Sequence, residues 1–304
     1  MKDIEALLPK SSERILILGA TGWFGKTALD LFKFSKASVL TSSQKVHHVT
    51  DSSKAAELDA ERRQIEDFSP TYILDFSFLT KETLKSIDLV EFKATNELLT
   101  DRLLSLSLLS SVKRIMYVSS GAAIHPADAL EVGFEINPYG FLKRCAETKL
   151  EQLVKSSDGR KSVSILRPWS VSGKHVRNSS NYLFSSLVSQ AVEGRIRLKT
   201  QQPVYRRYVS VQDALLMGLS IFREGEVSLL DTGGDLIEAQ ELAAIVKQVV
   251  NPSAELLLPK YASQESDNYF SDNISWLDIL EKTHHKPLSL VQQVRTYADS
   301  LRQT

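Results

Sequence analysis

The stretch Ile15 to Gly25, ILILGATGWFG, constrains the fold more than any other part of the chain. Ile15 to Leu18 are uninterrupted aliphatics, the pattern of a short strand buried on both faces. Glycines then recur at every third position, Gly19, Gly22 and Gly25, and a helix is predicted to start near Trp23 or Phe24 and run to Phe34. A strand that turns tightly into a helix aims backbone N–H groups and the positive end of the helix dipole at one spot, which suits a pyrophosphate. In this reading Gly19 permits the turn, Gly22 admits a phosphate to the backbone, and Gly25 lets helix and strand pack closely. Thr21, Trp23 and Phe24 line the same spot. The spacing is GxxGxxG rather than GxGxxG, so the motif alone does not choose among nucleotide-binding folds, and a ligand-free turn is the plain alternative.

The bulk numbers exclude several function classes. Lys plus Arg equals Asp plus Glu at 37 each, so no basic excess points to nucleic acid or to a membrane surface. Cys145 is the only cysteine, which rules out an intrachain disulfide and argues against a thiolate metal site. No metal is expected. The opening MKDIEALLPKSSERI mixes acids with apolar residues, unlike a signal peptide, and no apolar run approaches the ~18 residues of a membrane span. A reducing, cytoplasmic setting is the expectation.

Further along, Ala37 to Leu40 reads as a second strand, ending in Thr41-Ser42-Ser43-Gln44-Lys45. An NAD site usually carries an acid there, about 20 residues past the glycines, for the adenosine ribose. Thr41, Ser42, Ser43 and Lys45 instead accommodate a 2'-phosphate, so NADP(H) is preferred with NAD(H) as the alternative. Val46 to Thr50 is β-like, and Asp59 opens a helix in this reading. The adjacent His47 and His48 face opposite sides of a strand and make a poor metal pair. Tyr72 to Phe76 is another buried strand, followed by Ser77-Phe78; a helix from Val90 to Leu109 carries Asn96; Arg114 to Val118 is the next strand. Strand–helix alternation with unalternated strands predicts an α/β fold, a Rossmann-type doubly wound parallel sheet covered on both faces.

That last strand ends in Ser119-Ser120-Gly121, and the Tyr139-Gly140-Phe141-Leu142-Lys143 segment follows behind Pro138, a residue suited to a helix start. Tyr139 and Lys143 fall one helical turn apart on one face. A phenol of pKa near 10 is a weak acid or base at neutral pH, and a neighbouring ammonium favours the phenolate. Tyr139 then passes a proton to or from a carbinol oxygen while hydride moves at carbon, with a strand-end serine holding the same oxygen. On an ordinary amphipathic helix the pair would mean nothing; behind the glycine turn it points to an oxidoreductase.

At this point the sequence resembles the extended short-chain dehydrogenase/reductase family, the NAD(P)-dependent epimerases, dehydratases and reductases of nucleotide sugars. The resemblance rests on GATGWFG, VSSG (Val118 to Gly121), YGFLK, LRPWSVSG (Leu166 to Gly173) and RRYVSVQDA (Arg206 to Ala214). It implies a catalytic set of Ser120, Tyr139 and Lys143, with Ser119 and Gly121 beside the substrate and Lys143 also bonding the nicotinamide ribose. It further implies that Asn96 supports the cofactor site and Asp59 meets the adenine. Phe76, Ser77 and Phe78 then lie along the cofactor, Pro168 lies beside the nicotinamide amide, and Ser170 and Arg206 contact the substrate, Arg206 clamping its diphosphate. Two departures stand out. Gly121 and Ala122 replace the Asp–Glu pair of the family's 4,6-dehydratases, and Ser77-Phe78 replaces the usual Ala-Ala.

The expected organisation is a dinucleotide-binding domain over 1–168, rejoined by segments around 205–234, and a smaller lobe over 169–304 that binds substrate. In the second half Tyr182 to Glu193 and Ile237 to Val250 read as helices, Asp213 as a helix cap, and His284-His285 as a surface turn without chemistry. The preferred function is NADP(H)-dependent reduction of a keto group, at C4, of a nucleotide-activated sugar. The alternatives are a 4-epimerase with tightly bound NAD, a reductase of a non-sugar carbonyl, and a catalytically inactive dinucleotide-binding scaffold or sensor. The apolar stretch from Leu98 to Leu109 either faces the sheet or serves a homodimer.

Overall fold

A computed structural model of the chain describes residues 2–42 and 55–303; Val46 to Thr50, with His47 and His48, lies outside the described residues. The chain divides into two compact units, Met1–Arg167 with Leu215–Leu230, and Pro168–Ala214 with Asp231–Thr304.

The first unit alternates strand and helix: α1 (Lys2–Glu5), β1 (Arg14–Leu18), α2 (Trp23–Phe32), β2 (Ser38–Ser42), α3 (Ala55–Phe68), β3 (Tyr72–Asp75), α4 (Leu89–Ser107), β4 (Arg114–Val118), α5 (Ala129–Val132), α6 (Pro138–Lys155) and β5 (Ser162–Arg167). With β9 (Val227–Asp231) these strands form, among the described residues, a six-stranded sheet ordered β2-β1-β3-β4-β5-β9. Strands β1 to β5 pair in parallel. Their aliphatic runs are buried because helices cover the sheet: Ile15, Leu16, Ile17, Ile73, Ile115 and Val163 are all 0% exposed. The chain moves from β1 to β2 on one side and then places β3 on the other, so the C-terminal end of β1 is a switch point, where sheets of this type bind ligands.

The second unit holds β6 (Ser170–Ser172), α7 (Leu183–Val192), β7 (Arg195–Arg197), β8 (Val204–Ser210), β10 (Asp235–Glu238), α9 (Ala239–Val250), β11 (Glu255–Leu257), β12 (Asp267–Tyr269), α10 (Ile274–Thr283) and α11 (Leu290–Arg302), while α8 (Val211–Ser220) begins in it and ends in the first. Its main sheet runs β10-β8-β12 with β6 also on β8, and β7 pairs with β11. Phe184, Leu187, Val188, Leu242, Val246, Val294 and Tyr297 form its core.

Three local expectations are corrected here. Ile237 does not start a helix but sits in β10, opposite Arg206 of β8. Asp213 is not the cap of α8: its own N–H donates to Ser210 Oγ at 3.0 Å, so Ser210 caps the helix. The buried Asp213 carboxylate instead gathers the Ser210 hydroxyl (2.6 Å), the His285 ring (2.7 Å) and the Leu288 N–H (3.0 Å). His285 is therefore an anchor for the last helix, with a side chain only 8% exposed, and not part of a bare surface turn.

Candidate active site

The glycine turn is built as a cradle. Gly19 has φ +74°, and a Cβ there would lie 2.6 Å from the Phe76 carbonyl carbon, so only glycine fits between the ends of β1 and β3. At Gly25 a Cβ would meet Gly19 O at 2.4 Å, which is how closely α2 approaches the turn. Helix α2 starts at Trp23 with Gly22 as its N-cap, and no side chain caps it. A helix start without a side-chain cap, at the positive end of the helix dipole, is a place that favours an anion. The residues here fit a dinucleotide pyrophosphate. Among the flanking residues, Thr21 is exposed, Trp23 and Phe24 are half-buried, and the Phe24 ring lies 6.2 Å from that of Phe76.

The residues expected to be catalytic, Ser120, Tyr139 and Lys143, lie on β4's C-terminal end and on the helix that packs against it. Ser120 follows that strand and is 8% exposed; its Oγ accepts from Ala122 N at 3.2 Å and so caps a short 3-10 turn, Gly121–Ala123. Helix α6 comes very close to this turn, since a Cβ on Gly140 would sit 2.1 Å from Ala122 O. Asn137, the N-cap of α6, ties the two together, accepting from Gly140 N and donating to Ala122 O, each at 2.9 Å. Tyr139 lies in the first turn of α6, half-buried, with its ring 5.9 Å from that of Phe78 and nearly perpendicular to it.

Lys143, one turn on, is 3% exposed and donates from Nζ to Val118 O at 2.7 Å. Its amine lies 3.8 Å from the centre of the Phe78 ring and 4.7 Å from that of Tyr117. Burial pulls its pKa down to about 7, against the pull of Asp75 and Glu147 in the other direction. Asp75, the last residue of β3, is itself pushed up by burial, and it accepts from the Ser77 N–H and hydroxyl. The Tyr117 hydroxyl is buried with no hydrogen-bond partner among the described residues.

A charged network underlies this layer, and the sequence reading missed it. Glu147, fully buried, takes the Arg167 guanidinium through Nε at 2.8 Å and Nη2 at 2.5 Å. The same carboxylate accepts from the Ser119 hydroxyl, so Ser119 faces the network. Arg144 adds a longer contact at 3.4 Å. One signal was available: Tyr139, Lys143 and Glu147 are four residues apart in turn, a single helical stripe.

Other expected residues fall elsewhere. Asn96 is 0% exposed, and its Oδ1 accepts from Leu79 N at 2.8 Å, so it holds the loop that follows Ser77 and Phe78. Asp59 is exposed on α3, in a groove of about 320 Å³ shared with Leu98, Leu99 and Arg102 of α4. At the end of β2, Thr41 is exposed, while Ser43 and Lys45 lie outside the described residues. Ser42 is buried and donates to Glu61 Oε1 at 2.6 Å while accepting from Arg102 at 2.8 Å, so its hydroxyl is not free for a 2'-phosphate. In the second unit, Pro168 and Ser170 are half-buried, with Ser170 paired to Tyr208 in the sheet. The Arg206 fork is turned inward: it donates to the Tyr205 and Asp267 carbonyls and pairs with the Asp267 carboxylate at 2.8 Å. Arg206 thus ties β8 to β12 while its side chain stays 19% exposed.

The sequence model of the NAD dependent epimerase/dehydratase family matches residues 15–227. The chain belongs to that family. Membership makes it an enzyme of NAD(P)-dependent chemistry, with the expected Rossmann-type sheet and smaller C-terminal lobe. Similar solved structures include the UDP-glucose 4-epimerase of Thermotoga maritima with UDP-glucose, 18% identical, covering 95% of this chain and 99% of that one at a TM-score of 0.72. The UDP-glucose 4-epimerase of Thermus thermophilus in complex with NAD is also 18% identical, with the same coverage, 95% and 99%, and a TM-score of 0.70. A GDP-L-fucose synthetase from Naegleria fowleri bound to NADP is 15% identical over 97% of this chain and 94% of that one, at 0.75. At these identities the likeness is one of fold. Among curated protein sequences nothing matches. No helix among the described residues is long and apolar enough to cross a membrane.

Proposed function

We propose that the chain is a nucleotide-sugar 4-epimerase working with NAD. The observation that carries this reading is the meeting of Ser120 and the Tyr139–Lys143 stripe at the same sheet edge as the uncapped glycine turn. Gly19, Gly22 and the first turn of α2 would hold the pyrophosphate, and Lys143 the nicotinamide ribose. When bound, the nicotinamide supplies reversible hydride transfer at the sugar carbon. Tyr139 takes the proton from the C4 hydroxyl and later returns it, while Ser120 donates a hydrogen bond to the same oxygen. Lys143, its pKa brought down to about 7, is partly protonated near neutral pH, and in that form it adds positive charge on the same face of α6 as the phenol. Epimerisation would need hydride to be returned to the opposite face of the keto sugar, so a cofactor held by these residues would not be consumed, and Tyr139 and Ser120 would serve the same oxygen in both directions. Gly121 and Ala122 carry no acid or base, which speaks against dehydration. The two UDP-glucose 4-epimerases of like fold support epimerisation, and the Ser42–Glu61 bond supports NAD.

A keto-sugar reductase using NADP(H) is the second reading, favoured by the likeness to the fucose synthetase bound to NADP. Both share the chemistry, and one pair of experiments separates them. Tyr139→Phe should bind NAD+ as the wild type does and lose ~10²–10⁴-fold in turnover; retained turnover would overturn the oxidoreductive reading. With a panel of UDP-, dTDP-, CDP- and GDP-hexoses, an epimerase forms the C4 epimer at constant absorbance of the reduced cofactor. Stoichiometric oxidation of NADPH by a keto sugar would make the chain a reductase instead.

A further inference from the structure

The acid expected at the end of the second strand is missing from the sequence, yet the fold delivers a carboxylate to that place from a different element. Ser42 is the last residue of β2, paired with Leu18, and its carbonyl accepts the N–H of Gly19 at 3.2 Å, so it abuts the residue that opens the phosphate turn. Glu61 reaches it from α3. Its Oε1 receives the Ser42 hydroxyl at 2.6 Å and its Oε2 receives Arg102 at 2.6 Å; the Glu61 and Arg102 side chains remain 16% and 21% exposed.

We propose that Glu61, braced by Ser42 and Arg102, is the residue that selects NAD over NADP by reading the adenosine ribose. The inference rests on the dinucleotide site proposed above. A carboxylate offers about four lone-pair positions, and among the described residues two are in use here. The remainder suit the two O–H donors of a ribose cis-diol. A 2'-phosphate brings no comparable donor and adds negative charge against the carboxylate. Arg102 is held by the carboxylate and so is not offered to a phosphate; releasing it would reverse the preference, because a guanidinium binds phosphate well.

The test is a direct binding titration of nucleotide-stripped protein with NAD+ and with NADP+, by calorimetry, in the wild type, Glu61→Gln and Glu61→Gln/Arg102→Met. The wild type should prefer NAD+ at least tenfold. Glu61→Gln should bind NADP+ at least tenfold more tightly than the wild type does, and adding Arg102→Met should abolish that gain. Should Glu61→Gln fail to fold, Ser42→Ala, which frees the Glu61 carboxylate from its brace, should weaken NAD+ alone. A wild type that prefers NADP+, or variants that weaken both nucleotides equally, would overturn the role of Glu61 while leaving the dinucleotide site standing. A wild type that binds neither nucleotide would remove the site itself, and this inference with it.

Discussion

Lys143 makes the sharpest quantitative prediction, because its amine is dry and its surroundings are almost fully apolar or carboxylate. Burial brings its pKa to about 7, whereas an unfolded lysine titrates near ~10.4. Between those values the unfolded chain holds a proton that the folded chain has released. Stability must therefore rise with pH through that window, by about 1.4 kcal/mol per unit from this residue alone. Below the folded value the lysine is protonated in both states and its contribution is flat; above the unfolded value it is neutral in both and flat again. The total swing is on the order of 5 kcal/mol. Other groups titrate too, so the measurement is a difference: urea unfolding of the wild type and of Lys143→Met, followed by circular dichroism at pH 6, 8 and 9.5. The stability of the wild type relative to the variant should grow by about 2 kcal/mol between pH 8 and 9.5. Parallel curves would refute the dry, depressed amine: the lysine then stays protonated in both states over this range, either because it is wet or because Asp75 and Glu147 outweigh burial.

Two further outcomes test the scaffold around it. Glu147→Gln keeps the side-chain volume but leaves the buried Arg167 guanidinium without its counter-charge, and should cost about 3–5 kcal/mol in urea unfolding; a loss under ~1 kcal/mol would show that the pair is solvated. Gly25→Ala forces a Cβ to within 2.4 Å of Gly19 O, so α2 must retreat from the turn. A destabilisation of about 1–3 kcal/mol with weakened NAD+ binding is expected, and an unchanged titration would refute the cradle.

What the sequence made legible was local. Ile15 to Leu18, Tyr72 to Phe76 and Arg114 to Val118 announced buried parallel strands because they lack alternation, and Tyr139 and Lys143 announced a shared face because four residues make one helical turn. The glycine turn was readable for the same reason: strand, turn and helix are contiguous. Helix starts were less secure. Asp213 looked like a cap, but the helix begins two residues earlier, and the hydroxyl of Ser210 takes that role. Ile237 fits an apolar helical period as well as a strand, and only its pairing with Arg206 across the sheet decides between them.

Pairings between distant elements carry no sequence period, and the candidate site is made largely of these. Arg206 meets Asp267 because β8 and β12 lie side by side in the sheet. Ser42, Glu61 and Arg102 come from a strand and two helices that only the crossover order brings together. Charged residues are mostly exposed, so composition places Glu147 and Arg167 at the surface by default. The α6 stripe argues against that default from within the sequence: if Tyr139 faces the reacting centre and Lys143 lies beneath it, an acid a further turn down is carried into the interior and must find a cation there. Arg167, at the end of the neighbouring buried strand, is that cation, and Ser119 spends its hydroxyl on the same carboxylate. Ser120, at the next position along the chain, instead caps the short 3-10 turn, which leaves it as the serine of the proposed reaction.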